Sequence, residues 1–350
     1  MSERVGRDRL LERAKGRLEA ALTPQFDWIQ VEVSTHCFSS CVYCPHYTHR
    51  LIWREQHMTL DTFERLLPAM RKSRLIYLQG WGEPLTNPDF FEMVGLARGA
   101  GGRVGMTTSG TLLDKGAIER LISGGLDVIA LSLAGTTERN DRLRSGNRLD
   151  QVLWALRELD RARNRTTGRR PTLHVAYLLL KSATDDLKSL PALLEGTGVD
   201  EVVISTLDFV PTPALAREVV APETSAEFDS WWSLLEEVKA DAARRGISLH
   251  FYLRHYERRR AMCTENVSRA LFVSADGSVS PCVFTGLPLN TDKPSLLPPG
   301  YLRRVFGNVN EWSVRRVWNR DEYTLFRRQL ATDNPPEPCV NCPKLYLVEG

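Results

Sequence analysis

The chain has no excess of either charge: 46 Lys and Arg against 43 Asp and Glu leave a formal net charge of +3, spread along 350 residues. Such a balance excludes the basic footprint of a nucleic-acid binder and gives no attraction to an acidic membrane surface, so neither nucleic acid nor membrane is expected as a partner. The arginine-rich stretches at 161–170 and 258–260 read as solvated helix ends and loops. No run of about 18 apolar residues is present. The charged amphipathic start MSERVGRDRLLERAKGRLEAAL, expected to be helical within residues 1–27, lacks the apolar core of a secretion signal. A cytoplasmic location is therefore expected. Low-complexity segments are also missing, and cysteine is sparse, with seven in all. An odd number cannot pair completely, and in a cytoplasmic chain metal ligation explains cysteines better than disulfides.

What is there is a βα pattern. With 42% hydrophobic residues the chain can bury a full core, divided into one large and one small domain. Six short β-branched runs read as strands, at 28–34, 75–80, 103–109, 127–133, 173–180 and 201–207. Between them lie amphipathic stretches at 60–70, 89–98, 114–122, 150–161 and 183–194. Helical crossovers of this length make the strands parallel, and sheet twist curls them toward a barrel. Six units fall short of the eight that close one, so an open α/β partial (β/α)6 barrel over 28–245 is expected, working at the C-terminal ends of its strands. From 246 the character changes to short strands, an Asp276-Gly277 hairpin turn and many prolines between Leu287 and Pro299, which reads as a small α+β domain over 246–350.

The cysteines fall into two sets. Cys37, Cys41 and Cys44 form C-x3-C-x2-C directly after the first strand. Three thiolates so spaced can each take one iron of a cubane cluster, leaving the fourth iron open for a substrate or cofactor. A structural zinc site, completed by His36 or His46, is the alternative reading. The other set is Cys263 and Cys282 flanking the hairpin, with the Cys339-x2-Cys342 pair near the end of the chain. Four sulfurs saturate a cluster or a zinc ion, and spacing alone does not separate the two.

The first set, with Tyr43 before the third cysteine, resembles the signature of the radical S-adenosylmethionine (SAM) superfamily. Further motifs occur in order. Gly80-Trp81-Gly82-Glu83-Pro84 resembles the turn that receives the methionine amino group, Asn140 to Gly146 resembles the segment whose arginine, here Arg144, pairs with the methionine carboxylate, and Thr108, Ser109 and Ser132 occupy positions implied to touch ribose and carboxylate. Tyr43 is implied to pack on the adenine. Ser109 and Ala134 depart from the asparagine and aspartate many relatives carry. The second set, with Gly277 five positions before Cys282 and the segment Phe306-Gly307-Asn308-Val309, resembles the SPASM domain in its shortened, twitch form, which implies one auxiliary [4Fe–4S] cluster held by Cys263, Cys282, Cys339 and Cys342.

The resemblance implies a [4Fe–4S] cluster bound to Cys37, Cys41, Cys44 and SAM, an external electron donor such as flavodoxin or ferredoxin, and reductive cleavage of SAM to a 5′-deoxyadenosyl radical that abstracts a substrate hydrogen. All seven cysteines are then used, so no thiol remains to return a hydrogen atom, and the auxiliary cluster is free to accept an electron. Oxidation of a small polar alcohol or aminocyclitol is the reading adopted, with a peptide or protein maturase as the alternative. The short stretch before the first strand, too short for a leader-recognition domain, tilts toward the small molecule. A base would come from the strand ends, where His174, Tyr177, Ser205 and Asp208 are candidates and Asp208 is placed best. Trp81 and Trp154 are expected to pack.

Overall fold

The computed structural model describes residues 24–260, 263–298, 300–332 and 334–350. Most of the expected N-terminal helix lies outside them. The six expected parallel strands form as β1 (Phe26–Val31), β3 (Ser73–Leu78), β4 (Arg103–Thr108), β5 (Val128–Leu133), β7 (Thr172–Leu179) and β8 (Glu201–Thr206), adjacent in that order. The central strands β4 and β5 are buried on both faces, five of the six residues in each, whereas β7 and β8 alternate buried with half-buried residues. Tyr77 in β3 stands beside Gly105 in β4, where an added Cβ would meet its ring at 2.6 Å.

Several helices start where a capping side chain satisfies a free N–H: Thr59 accepts from Thr62, Asp114 from Ala117, and Thr224 from Glu227. Two expected helices are broken. Residues 60–70 divide into Leu60–Glu64 and Leu67–Met70, and 183–194 into Thr184–Leu187 and Leu190–Leu194. Pro68 and Pro191 lack the N–H that would continue each helix, and their rings crowd the preceding turn.

The division expected after residue 245 falls just before β9 (Ser248–Arg254), which pairs parallel with β8 and makes a seventh parallel strand. Its apolar alternation, buried at Leu249, Phe251 and Leu253, was hidden at sequence level by the change of character around it. The chain then crosses to the opposite edge of the sheet, where β10 (Ala270–Val273) pairs parallel with β1 and turns through the hairpin into β11 (Ser278–Ser280) and β12 (Gly307–Asn308). It returns to lay β13 (Leu347–Glu349) antiparallel on β9. The result is an open eleven-stranded sheet whose two edges both belong to the C-terminal segment. That segment thus borders the face at the C-terminal ends of the barrel strands.

Candidate active site

Cys37, Cys41 and Cys44 sit on a loop that the backbone holds firmly. Thr35 anchors its start, accepting from the Trp53 indole N–H at 3.0 Å and donating from its hydroxyl to Arg54 at 2.8 Å. A two-residue ladder, β2 (Ser40–Cys41) against β6 (Arg144–Ser145), places Cys41 opposite Arg144. Gly146, at φ +91°, lets the returning chain pass against Ser39, where a Cβ would lie 3.4 Å from the Ser39 Cα. Buried Asn147 ties the pieces together: its side-chain oxygen accepts from Ser39 and Thr111 hydroxyls, and its amide N–H reaches the Cys41 sulfur at 3.8 Å. Burial pushes the Cys37 and Cys44 thiols above the usual thiol range. Bound iron reverses that order, because a coordinating thiol is deprotonated outright.

The donor set suits a cluster. His36 and His46, the two imidazoles able to complete a zinc site, both turn to the Glu55 carboxylate, at 3.3 and 3.6 Å. The thiolates of a cubane each serve a different iron and need not converge on a single ion position.

The turn after β3 lies directly on this loop. A Cβ at Gly82 would fall 2.3 Å from the Ser34 carbonyl oxygen, and one at Gly80 would fall 2.3 Å from the Glu32 side chain, so only glycine permits the approach. Glu83 donates its N–H to the His36 carbonyl at 2.7 Å. Its buried carboxylate accepts from the Thr108 hydroxyl at 2.6 Å and the Ser109 N–H at 2.7 Å, joining the ends of β3 and β4. Pro84 then opens a single helical turn, Pro84–Thr86. Arg144 is buried, donates to the Ser132 carbonyl, and keeps its Nε without a partner. Burial works against its charge, and the surrounding Tyr43 and Cys41 outweigh it. A buried guanidinium with an unused donor beside a glycine-lined turn fits a bound carboxylate.

A cavity of about 250 Å³ opens where these pieces meet the C-terminal segment. Tyr43, Cys44 and Gly80 form one end, and Val283, Phe284 and Lys344 the other. Trp81 and Phe209 line it between them, with Trp81 5.9 Å from both Phe209 and Phe284. Asp208 is at the wall, accepting from the Thr206 hydroxyl at 2.9 Å and paired with Lys344 at 2.9 Å. Lys344 also reaches Glu265 at 3.2 Å. Burial opposes its charge, and the two carboxylates more than restore it.

Behind Lys344 the second set assembles. Cys263, Cys282 and Cys339 pack with Val267, Leu330 and Leu345 in an apolar pocket. Burial, with repulsion from neighbouring thiols, pushes Cys339 and Cys342 up to about 12; burial raises Cys263 and Cys282 as well, with the Glu265 carboxylate adding to both. Four crowded thiols with these properties need a metal centre to become thiolates.

The sequence comparisons agree with this layout. The radical SAM superfamily model matches residues 31–186, and the model of SPASM, an iron–sulfur cluster-binding domain, matches residues 263–343. The chain belongs to the radical SAM superfamily and carries a C-terminal SPASM domain. These domains imply a SAM-bound [4Fe–4S] cluster and auxiliary iron–sulfur binding. It is 26% identical over 327 residues to the tungsten-containing aldehyde ferredoxin oxidoreductase cofactor-modifying protein of Pyrococcus furiosus, covering 90% of this chain and 86% of that one. It is 26% identical over 317 residues to the PqqA peptide cyclase of Gluconobacter oxydans, covering 89% and 81%. Among solved structures, SAM-bound Streptococcus suis SuiB aligns with a TM-score of 0.66 at 17% identity, covering 87% of this chain and 68% of that one. AdoMet-bound anSMEcpe aligns at 0.63 and 15% identity, covering 85% and 82%. At these identities the likeness shows a shared fold.

Of the four residues considered as a base, Ser205 and Asp208 line the cavity. His174 does not: it stands beside Glu201 at the start of β8, at the far end of the sheet. Tyr177 is buried in the core with its hydroxyl unpartnered. Trp154 packs on the core as expected, while Trp81 lines the cavity as well as packing. Lys344, Asn147 and Glu32 were not singled out from sequence. Lys344 carried one usable signal, its place two residues after the last cysteine.

Proposed function

We propose that this protein is a radical SAM maturase that oxidises or crosslinks a side chain of a peptide or protein, with Cys37, Cys41 and Cys44 holding the SAM-binding cluster and Cys263, Cys282, Cys339 and Cys342 the auxiliary one. The observation that carries this reading is the cavity between the two cysteine sets, walled by Trp81, Phe209, Phe284, Leu178, Leu207 and Val283 on its apolar side. The cavity measures about 250 Å³ and reaches Tyr43, Cys44 and Gly80 at the first cysteine set. The lining also carries Gln30, Gln79, Ser205, Thr206, Asp208 and Lys344, so the small-molecule expectation gives way to the relatives rather than to the cavity's polarity. The curated relatives named for a peptide substrate, and the SuiB structure bound to its precursor peptide SuiA, support the same choice.

Glu83, Thr108, Ser109, Ser132 and Arg144 would orient SAM, with Gly80, Gly82 and Pro84 shaping the turn beneath it and Tyr43 closing its side. When bound, the first cluster together with SAM would supply hydrogen-atom abstraction and the second cluster an exit for one electron, with flavodoxin or ferredoxin as the external donor. Oxidation also releases a proton, and Asp208 is the carboxylate at the cavity wall able to take it. Lys344 fixes Asp208 in place. The aromatic wall excludes water from the reacting side chain. The test is anaerobic incubation of the cluster-loaded enzyme with SAM, reductant and peptides encoded beside its gene, followed by mass spectrometry. A peptide that loses two hydrogens in step with 5′-deoxyadenosine formation supports the reading. Turnover of cyclitols or sugar alcohols with no peptide modified would reverse it.

A further inference from the structure

Lys344 sits where the cavity meets the second cysteine set. Its ammonium pairs with Asp208 at 2.9 Å and with Glu265 at 3.2 Å, and it stands 5.2 Å over the Phe284 ring. These contacts follow the cysteines: Glu265 lies two residues after Cys263, Phe284 two after Cys282, and Lys344 itself two after Cys342. The backbone joins the same loops, since the Lys344 carbonyl accepts from the Thr264 N–H at 3.3 Å and Leu345 packs with Cys263, Cys282 and Cys339. One cation is thus held among three cysteine loops while it borders the cavity. Burial raises the Cys263 and Cys342 thiols, and the Lys344 charge works against that rise at both. Arg304, which acts in the same sense on Cys339, is instead half exposed and turned to Glu337 at 3.5 Å.

On the reading that the four thiols hold the auxiliary cluster, we propose that Lys344 is a positioning residue with two faces: it makes that cluster a better electron acceptor while it orients Asp208 as the proton acceptor. A cluster on four thiolates becomes more negative by one charge when it takes an electron, and a fixed positive charge in a poorly solvated site favours that state. Asp208 and Glu265 moderate the cation, so removing a carboxylate acts in the opposite direction to removing Lys344. The step balances. Once a hydrogen atom has left the substrate, the remaining radical gives one electron to the cluster and one proton to Asp208, a net loss of two hydrogens. Electron and proton therefore leave toward acceptors that share a single buried cation.

The test is the midpoint potential of the auxiliary cluster, from a redox titration followed by EPR on the cluster-loaded protein without substrate. The SAM-dependent signal marks the first cluster. A carboxylate stranded by the loss of Lys344 can take up a proton and mask the change, so Lys344→Met is compared with its parent in an Asp208→Asn/Glu265→Gln background. There the auxiliary potential is expected to fall by about 59 mV or more, a tenfold or greater loss in the reduction equilibrium, with the first cluster unmoved. In the otherwise native protein Lys344→Arg should stay near wild type and Glu265→Gln, which strands no charge, should raise the potential. An auxiliary potential unmoved by Lys344→Met in the carboxylate-free background overturns the proposal, as does an equal fall in both clusters. A fall with Glu265→Gln overturns it even where the other variants do not fold. About eight irons with an unmoved potential counts against Lys344 alone, whereas a protein that never exceeds about four irons also overturns the cluster assignment beneath it.

Discussion

The two cysteine sets are built in opposite ways. The first is local: three residues of one loop, pinned by a short ladder, an asparagine amide and a glycine-lined turn, with one side open to a cavity. The second is assembled from segments far apart in sequence, and its thiols are packed among Val267, Leu330 and Leu345. A local set can leave one iron free for a cofactor. A set that draws four thiols from three segments closes its centre and staples the chain. On the proposed function, the difference separates a site that performs chemistry from one that moves electrons and holds the C-terminal segment on the barrel.

The sharpest way to break this contrast is to remove thiols from each set in turn. Cys44→Ala is expected to lower SAM cleavage by a factor on the order of 10⁴ or more, read as 5′-deoxyadenosine production, while the fold persists in circular dichroism. Cys339→Ala/Cys342→Ala should do the reverse. Peptide product should vanish while SAM cleavage without product stays within about tenfold of wild type, and the melting temperature should fall as the staple is lost. Equal behaviour of the two variants would erase the distinction.

Between the two sets lies the Lys344 ion triad, with Asp208, Lys344 and Glu265 side chains at 6%, 15% and 18% exposure. Lys344→Met strands two buried carboxylates and is expected to cost about 3–5 kcal/mol in denaturant unfolding. Adding Asp208→Leu should recover part of that loss. If the single variant unfolds like wild type, the triad does not hold the two parts together. At the small end is the exposed pair Arg148–Asp150, beside the first set. Arg148→Ala should change stability by no more than about 1 kcal/mol and leave SAM affinity unaltered, which would separate the buried Arg144 from its exposed neighbour.

The barrel was legible because its signals are local. Each parallel strand is a short β-branched run, and the motif residues other than Arg144 sit in or just after the end of one. The first cysteine set was legible for the same reason. β9 was harder, because its alternating pattern, buried at Leu249, Phe251 and Leu253, lies next to irregular sequence. What the sequence could not show is what depends on distant partners. Glu32 looks like any strand-end glutamate until Trp81 and the hairpin close over it. Lys344 looks like a solvated tail lysine until Asp208 and Glu265 meet it. His174 lies at the start of its strand, as its place in the 173–180 run already indicated, and stands beside Glu201; the face that Tyr177 occupies was not legible, and β7 turns it into the core.

The most direct measurement is iron and sulfide content with low-temperature EPR, on anaerobically prepared wild type and on the Cys37→Ala/Cys41→Ala/Cys44→Ala variant. About eight irons in wild type and about four in the variant, with a SAM-dependent change of the EPR signal in wild type alone, is the expected result. Zinc in place of iron in the variant, or wild type that never exceeds four irons, would contradict the two-cluster arrangement and the electron exit that depends on it.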